Sequence, residues 1–176
     1  IATDRISAFD YVLGSGIPDK GKVLTQLSAF WFAHTTHIVP NQVLTTDVAE
    51  YPVSVRDSAD VLRGRSMLVR KTTPFPIECV ARGYLSGSGW KEYRDHGTLA
   101  MEPLPAGLPE SGRLPHRVFA PATKAASGHD ENVSRARAAE ILGPVAQELE
   151  RLSFQIYDRG SAIVESRGLI LADTKF

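Results

Sequence analysis

The sequence predicts an α+β protein, and three observations carry that reading. Two stretches repeat apolar residues at helical spacing, Val23, Leu24, Leu27, Phe30 and Trp31, then Val145, Leu149, Leu152 and Ile156. Between and after them lie short runs rich in β-branched residues. Those runs do not alternate with helices in βαβ order, so the sheets are expected to be separate from the helices in sequence.

Taken in order, Ile1 to Tyr11 is dense in polar residues (Thr3, Asp4, Arg5, Ser7, Asp10), and Gly14-Ser15-Gly16-Ile17-Pro18 reads as a turn. The first helical stretch should end near His37, ahead of Pro40. Gln42 to Val55 carries Val43, Thr45, Thr46, Val48, Val53 and Val55, which predicts short strands, and Asp57 to Leu62 a helical turn. Ser66–Lys71 and Ile77–Arg82 read as strands joined by Thr-Thr-Pro-Phe-Pro, where Pro74 and Pro76 lack the amide donors a ladder needs. Gly83 to Gly89 reads as a glycine/serine turn, followed by a short helix from about Trp90. The five prolines between 103 and 121 predict an irregular surface crossing. Ser134 is a good N-cap for a helix that Gly143-Pro144 breaks, a longer helix then runs to near Gly168, and Leu169–Phe176 reads as a last strand.

Composition narrows the function classes. The chain has 176 residues, 43% of them hydrophobic, enough for a real core. Twenty basic residues balance twenty acidic ones, so no net positive field points to nucleic acid or an anionic membrane. No apolar run approaches the roughly 18 residues of a membrane-spanning helix. The single cysteine, Cys79, excludes an intrachain disulfide and suits a reducing, cytoplasmic setting. The chain opens on Ile1 and stops inside an apparent strand, so we expect the interior of a longer protein.

Strand alternation then sorts the polar residues. Ile77, Cys79 and Ala81 share one face, and Glu78, Val80 and Arg82 the other. By themselves Glu78 and Arg82 fit either a structural ion-pair network or a site. Arg82 leads directly into Gly83-Tyr-Leu-Ser-Gly-Ser-Gly-Trp90, where curling backbone, the hydroxyls of Ser86 and Ser88 and a following helix suit an anion such as phosphate. This is neither a P-loop nor a dinucleotide fingerprint. In the last strand Asp173 and Lys175 share a face, a placement suited to Mg²⁺ and phosphate or to an ordinary ion pair. Lys124 and the run His129-Asp130-Glu131-Asn132 precede the Ser134 cap, without the spacing of a zinc site. Cys79 faces the apolar side and reads as packing.

These blocks together resemble the SAICAR synthetases (phosphoribosylaminoimidazole-succinocarboxamide synthases) of purine biosynthesis. The likeness runs through Ala2-Thr-Asp-Arg-Ile-Ser-Ala-Phe-Asp10, Ile17-Pro-Asp-Lys-Gly21, Leu27 to Phe32, Pro76 to Trp90, Pro121-Ala-Thr-Lys124, His129-Asp-Glu-Asn132 and Ala172-Asp-Thr-Lys-Phe176. The resemblance implies a cytoplasmic ATP- and Mg²⁺-dependent ligase that joins carboxyaminoimidazole ribonucleotide (CAIR) to L-aspartate. It also implies two lobes around a central cleft, built mainly of antiparallel sheets. One is a kinase-like or ATP-grasp-like lobe, most of it over 1–72 with its first strands missing. The other is a ribonucleotide- and aspartate-binding lobe over 73–176. The N- and C-terminal parts of the family fold are expected outside this chain.

Carried over by motif, Arg82, Ser86, Ser88, Lys175, Ser7 and Asp10 resemble substrate-binding residues. Lys124, Arg70, Lys71 and Asp130 are similar to ATP-contacting ones, and Asp173 with Glu131 to metal ligands. The family chemistry needs no covalent nucleophile on the protein. It names small-molecule partners (CAIR, L-aspartate, ATP), neither nucleic acid nor membrane, and is compatible with a homo-oligomer. Two other functions use the same equipment: a small-molecule phosphotransferase, which would release ADP without aspartate, and a non-catalytic nucleotide-binding module, which would bind ATP without releasing ADP.

Overall fold

The computed structural model describes residues 1–8, 11–123 and 131–176, and divides into two compact units, Ile1–Thr73 and Pro74–Phe176. Every strand pair among the described residues is antiparallel, and helices and small sheets are segregated along the chain, as an α+β reading requires.

The first unit opens with a two-stranded ribbon, β1 (Ser7–Ala8) on β2 (Tyr11–Val12), followed by helix α1 (Lys20–Thr35). The Asp19 side chain does not cap α1; the Gly21 amide instead donates to Asp4 Oδ1 at 2.9 Å, so a carboxylate from far upstream satisfies the helix start. Arg65 closes on the same carboxylate with two hydrogen bonds, at 3.0 and 3.2 Å. β3 (Val43–Thr45) pairs with β4 (Leu68–Val69), and α2 (Val53–Arg56) and α3 (Ala59–Leu62) lie between them in sequence. The predicted strand run over 42–55 is therefore mostly wrong. Only Val43–Thr45 is a strand, because Asp47 Oδ1 accepts from the Ala49 amide and starts a 3₁₀ turn at Val48–Glu50, and Pro52 starts α2.

The second unit holds two three-stranded sheets. β5 (Ile77–Glu78) and β6 (Val80–Tyr84) form a single strand in the sequence reading, yet the chain passes from one sheet to the other at Cys79. Cys79 exchanges two backbone hydrogen bonds with Phe176, at 3.1 and 3.0 Å, which keeps its amide and carbonyl satisfied across the break. α4 (Gly87–His96) follows, then the hairpin β7 (Thr98–Leu99) and β8 (Glu102–Pro103). The glycine/serine segment is thus shorter than expected: β6 runs through Gly83 and α4 begins at Gly87, so Gly87-Ser88-Gly89 is a first helical turn and not a loop.

A second correction concerns the proline-rich crossing, which contains the longest strand, β9 (Arg113–Phe119). β9 lies at the edge of the order β12–β6–β9, and the register shifts between Arg82 and Tyr84 opposite the stretch that holds Pro115. An edge with a bulge tolerates a proline that an interior strand would not. β10 (Ala122–Thr123) and β11 (Glu131–Asn132) complete the sheet of β5.

Ser134 caps α5 (Arg135–Leu142) as expected, its Oγ accepting from the Arg137 amide at 3.1 Å. After the Gly143-Pro144 break comes α6 (Ala146–Glu165), and then β12 (Asp173–Lys175). The predicted last strand is shortened at its start, and Leu169 and Ile170 are exposed.

Alternation along β9 divides the core. Val118 joins Leu85, Tyr93, Leu99 and Leu114 on the α4 side, while Phe119 joins Ile77, Cys79 and Ala138 on the α5–α6 side. Each fully buried large apolar side chain, such as Leu85 or Leu99, contributes about 1.5–3 kcal/mol. Cys79 belongs to this core, and burial pushes its thiol pKa up, so it is an inert packing residue as the sequence suggested. Among the described residues no helix is long and apolar enough to cross a membrane.

Candidate functional site

The site grows out of the β12–β6 ladder, in which Asp173 lies opposite Arg82 and Lys175 opposite Val80. Period-two geometry sends Arg82, Asp173 and Lys175 to one face, the face whose apolar part is Val118 and the α4 cluster. Arg82 Nη1 donates to Asp173 Oδ2 at 2.8 Å, and Nη2 reaches Ser88 Oγ at 3.3 Å in the first turn of α4. The guanidinium side chain is only 13% exposed while Asp173 is 41% exposed, so the base is held and the acid is accessible. Arg82 Nε is buried with no hydrogen-bond partner among the described residues.

A second pair sits beside the first. Lys175 Nζ meets Glu78 Oε2 at 2.5 Å, and the Glu78 side chain is mostly buried. The sequence put Glu78 on the same face as Arg82; the structure gives each a partner of opposite charge from β12, so the quartet has no net charge. Neutralisation of this kind is what lets ionised groups persist in a half-buried setting.

Ser86 is the N-cap of α4 with extended backbone, and its side chain makes no capping hydrogen bond. The first turn of a ten-residue helix therefore points its amides outward beside Ser88 Oγ and Arg82, an arrangement suited to an anion. A cavity of about 500 Å³ that the sequence did not reveal opens beside Ser88, lined among others by Lys91, His96, Thr98 and Asn132. Its Ser88 and Asn132 edges had a sequence signal; the other lining residues, from α4 and the β7–β8 hairpin, share no motif.

The remaining expected residues lie on other elements. Glu131 is exposed on β11, in the sheet of β5 and not that of Asp173. Ser7 lies on exposed β1, and Arg70 and Lys71 are exposed after β4, with the Arg70 amide donating to Gln42 O at 2.8 Å. Asp10, Lys124 and Asp130 lie outside the described residues. No group of three His, Cys, Asp or Glu side chains among the described residues is placed to hold a metal ion. Mg²⁺ bound through one or two carboxylates, with most of the coordination from phosphate and water, needs no such group. Asp173, with one oxygen on Arg82 and the other unused among the described residues, meets that requirement.

Fold and geometry together define an α+β protein with a charge-paired site suited to anions. Comparison with known proteins makes this specific: the SAICAR synthetase family matches residues 1–176. A phosphoribosylaminoimidazole-succinocarboxamide synthase of Desulfatibacillum aliphaticivorans is 53% identical over 178 aligned positions, and one of Geotalea uraniireducens 49%. In both, the alignment covers all of this chain and 60% of the relative. A solved SAICAR synthase of Saccharomyces cerevisiae, complexed with SAICAR, superposes with a TM-score of 0.90 at 37% identity, again over the whole chain and 60% of that structure. This chain belongs to the SAICAR synthetase family and spans about 60% of the length of the relatives it matches.

Proposed function

We propose that the protein of full family length bearing this chain is a cytoplasmic carbon–nitrogen ligase that condenses CAIR with L-aspartate. ATP is consumed, and SAICAR, ADP and phosphate are released in de novo purine biosynthesis. The observation that carries this reading is the quartet Arg82–Asp173 and Lys175–Glu78 beside the first turn of α4, since it offers phosphate-binding donors and an accessible carboxylate on one face.

In this scheme the guanidinium of Arg82, Ser88 Oγ and the opening amides of α4 beyond Ser86 hold the ribonucleotide phosphate. Each charge-assisted hydrogen bond of this kind is worth about 1.5–3 kcal/mol. Binding energy gathered at that remote phosphate positions the carboxylate that reacts. A carboxylate is a poor acyl donor at neutral pH, and ATP supplies the phosphoryl group that converts it into an acyl phosphate, which the amine of aspartate then attacks. Lys175 faces the substrate and offsets its negative charge, as Lys124 does at the nucleotide. Asp173, with Glu131 as a further acid, would hold Mg²⁺, which spreads charge over the phosphates when bound.

The two units support a division of labour. Residues 1–72 belong to a kinase-like or ATP-grasp-like nucleotide lobe that meets ATP through Arg70 and Lys71 and contributes Ser7 and Asp10 to substrate binding. Residues 73–176 form the ribonucleotide and aspartate lobe, with Asp130 directed to ATP.

The test is ADP release by the full-length protein with Mg²⁺, ATP and CAIR, with and without L-aspartate. ADP formation that requires aspartate and yields SAICAR supports the ligase. ADP formed at the same rate without aspartate would identify a phosphotransferase instead, and ATP binding with no ADP under any combination a non-catalytic module.

A further inference from the structure

Behind the Arg82–Asp173 pair lies a contact that no part of the reading above uses. Residues 81 and 83 of β6 face α6, opposite to Arg82, and at Gly83 the backbone runs directly against the hydroxyl end of the Tyr157 ring. A Cβ built on Gly83 would stand 1.9 Å from Tyr157 Oη and 2.7 Å from Cζ, so only glycine fits. The demand is one of space and not of backbone conformation, since Gly83 is absent from the positive-φ glycines.

The same hydroxyl donates to Leu171 O at 2.8 Å, two residues ahead of Asp173 and just outside β12. The Gly83 amide donates to Ala172 O at 3.0 Å, one residue further along. Tyr157 is 6% exposed, and burial pushes its phenol pKa up, so it stays a neutral donor across the physiological range. One side chain therefore presses on the strand that carries Arg82 and is hydrogen-bonded to the segment that carries Asp173.

We propose that Tyr157 is a positioning residue for the Arg82–Asp173 pair: the phenol end of its ring sets the height of β6 and its hydroxyl hydrogen bond sets the approach of β12, so that guanidinium and carboxylate meet at the site. A guanidinium whose side chain is mostly buried between neighbours needs both strands held, because a displacement of about 1 Å breaks a hydrogen bond of this geometry. The ligand consequence rests on the proposed phosphate role of Arg82; the positioning claim does not.

The test uses Tyr157→Phe, which keeps the ring and removes only the hydroxyl. Isotope-edited NMR of the Arg82 guanidinium in the full-length protein, without ligand, reads the pair directly. Separate Nη signals are expected in the parent, where Asp173 and Ser88 restrain rotation, and averaged signals in a Tyr157→Phe chain whose remaining amide spectrum is unchanged. Exchange of the Gly83 amide with solvent should quicken, while that of Ala120, bonded to Val80 O, should not. Ribose 5-phosphate then serves as the ligand probe, with affinity falling about 2- to 10-fold in Tyr157→Phe and no further in Tyr157→Phe/Arg82→Ala than in Arg82→Ala alone. An Arg82 pattern and Gly83 exchange identical to the parent overturn the proposal, as does an affinity loss that adds fully to that of Arg82→Ala. Altered Arg82 signals with ribose 5-phosphate binding untouched by either variant would uphold the positioning role and remove the phosphate role from Arg82.

Discussion

Among the described residues, the two arginine–aspartate pairs that span the most sequence lie one in each unit, with separations of 61 and 91 residues. Their bond lengths barely differ, 3.0 Å for Arg65–Asp4 and 2.8 Å for Arg82–Asp173. What differs is how much of each carboxylate is already engaged. Asp4 accepts from both Arg65 nitrogens and from the Gly21 amide. The Gly21 amide first, and then Arg65, hold its pKa below the usual carboxylate value. A side chain at position 21 would meet Ala2 O at 2.4 Å, so that corner has no room for a ligand either. Asp173 engages one oxygen and is more exposed, and Arg82 keeps a buried Nε without a partner among the described residues. An ion pair alone is therefore no mark of a site; unused donors and lone pairs are. Asp4–Arg65 is a fastener for the start of α1, and Arg82–Asp173 is a fastener with capacity left over.

The comparison breaks most readily at Arg82. Arg82→Ala should weaken ribose 5-phosphate or CAIR binding by about 10- to 150-fold, measured by calorimetry, since a charge-assisted contact of about 1.5–3 kcal/mol is removed. Unchanged affinity would reduce the pair to the same structural role as Arg65–Asp4. Asp173→Asn should fold normally and shift the Mg²⁺ concentration needed for half-maximal turnover of the full-length protein upward; a superimposable Mg²⁺ titration would take the metal away from Asp173.

Asp4→Asn should behave in the opposite sense, lowering the unfolding temperature while leaving ribose 5-phosphate affinity as it was. Its pH dependence has a definite sign. Because the folded pKa of Asp4 is depressed, its stabilising contribution is present above the ordinary carboxylate pKa and is lost as pH falls through the depressed value. Melts of parent and variant should thus differ most at neutral pH and converge in strong acid; a constant gap would mean that the charge on Asp4 is irrelevant. Ser88→Ala is the mildest change, since Arg82 reaches Ser88 Oγ at only 3.3 Å, and a loss of about 2- to 10-fold in phosphate affinity is expected. No loss at all would assign the anion to Arg82 and the helix amides alone.

Much of this was legible before any coordinates. The Ser134 cap, the Gly143-Pro144 break and the apolar stripe of α6 rest on local chemistry, and each lies where expected. Val48, Val53 and Val55 misled because β-branching is a weaker instruction than a cap: Asp47 and Pro52 start turns of helix, and burial of Val48 and Tyr51 rewards them. The proline-rich stretch misled for the reverse reason, since Pro115 is acceptable on an edge strand and edge position is invisible in a single sequence. Glu78 was flagged with Arg82 as a charge needing a partner, but the partner itself, Lys175, lies across a strand pairing that no local pattern announces. Tyr157 had no signal beyond being one more residue of a helix.

The sequence by itself determined which side chains share a face, because side-chain direction along a strand alternates with period two whatever the neighbours are. It determined the start of α5 and the break before α6 as well, since the Ser134 cap and Gly143-Pro144 act within a few residues. Only the tertiary structure decided that Arg82 lies opposite Asp173, that Lys175 finds Glu78, and that Gly83 must be bare to admit Tyr157. Register between strands 91 residues apart is chosen by burial of the whole sheet against α4 and α6, a sum over many distant contacts that no short window of residues contains.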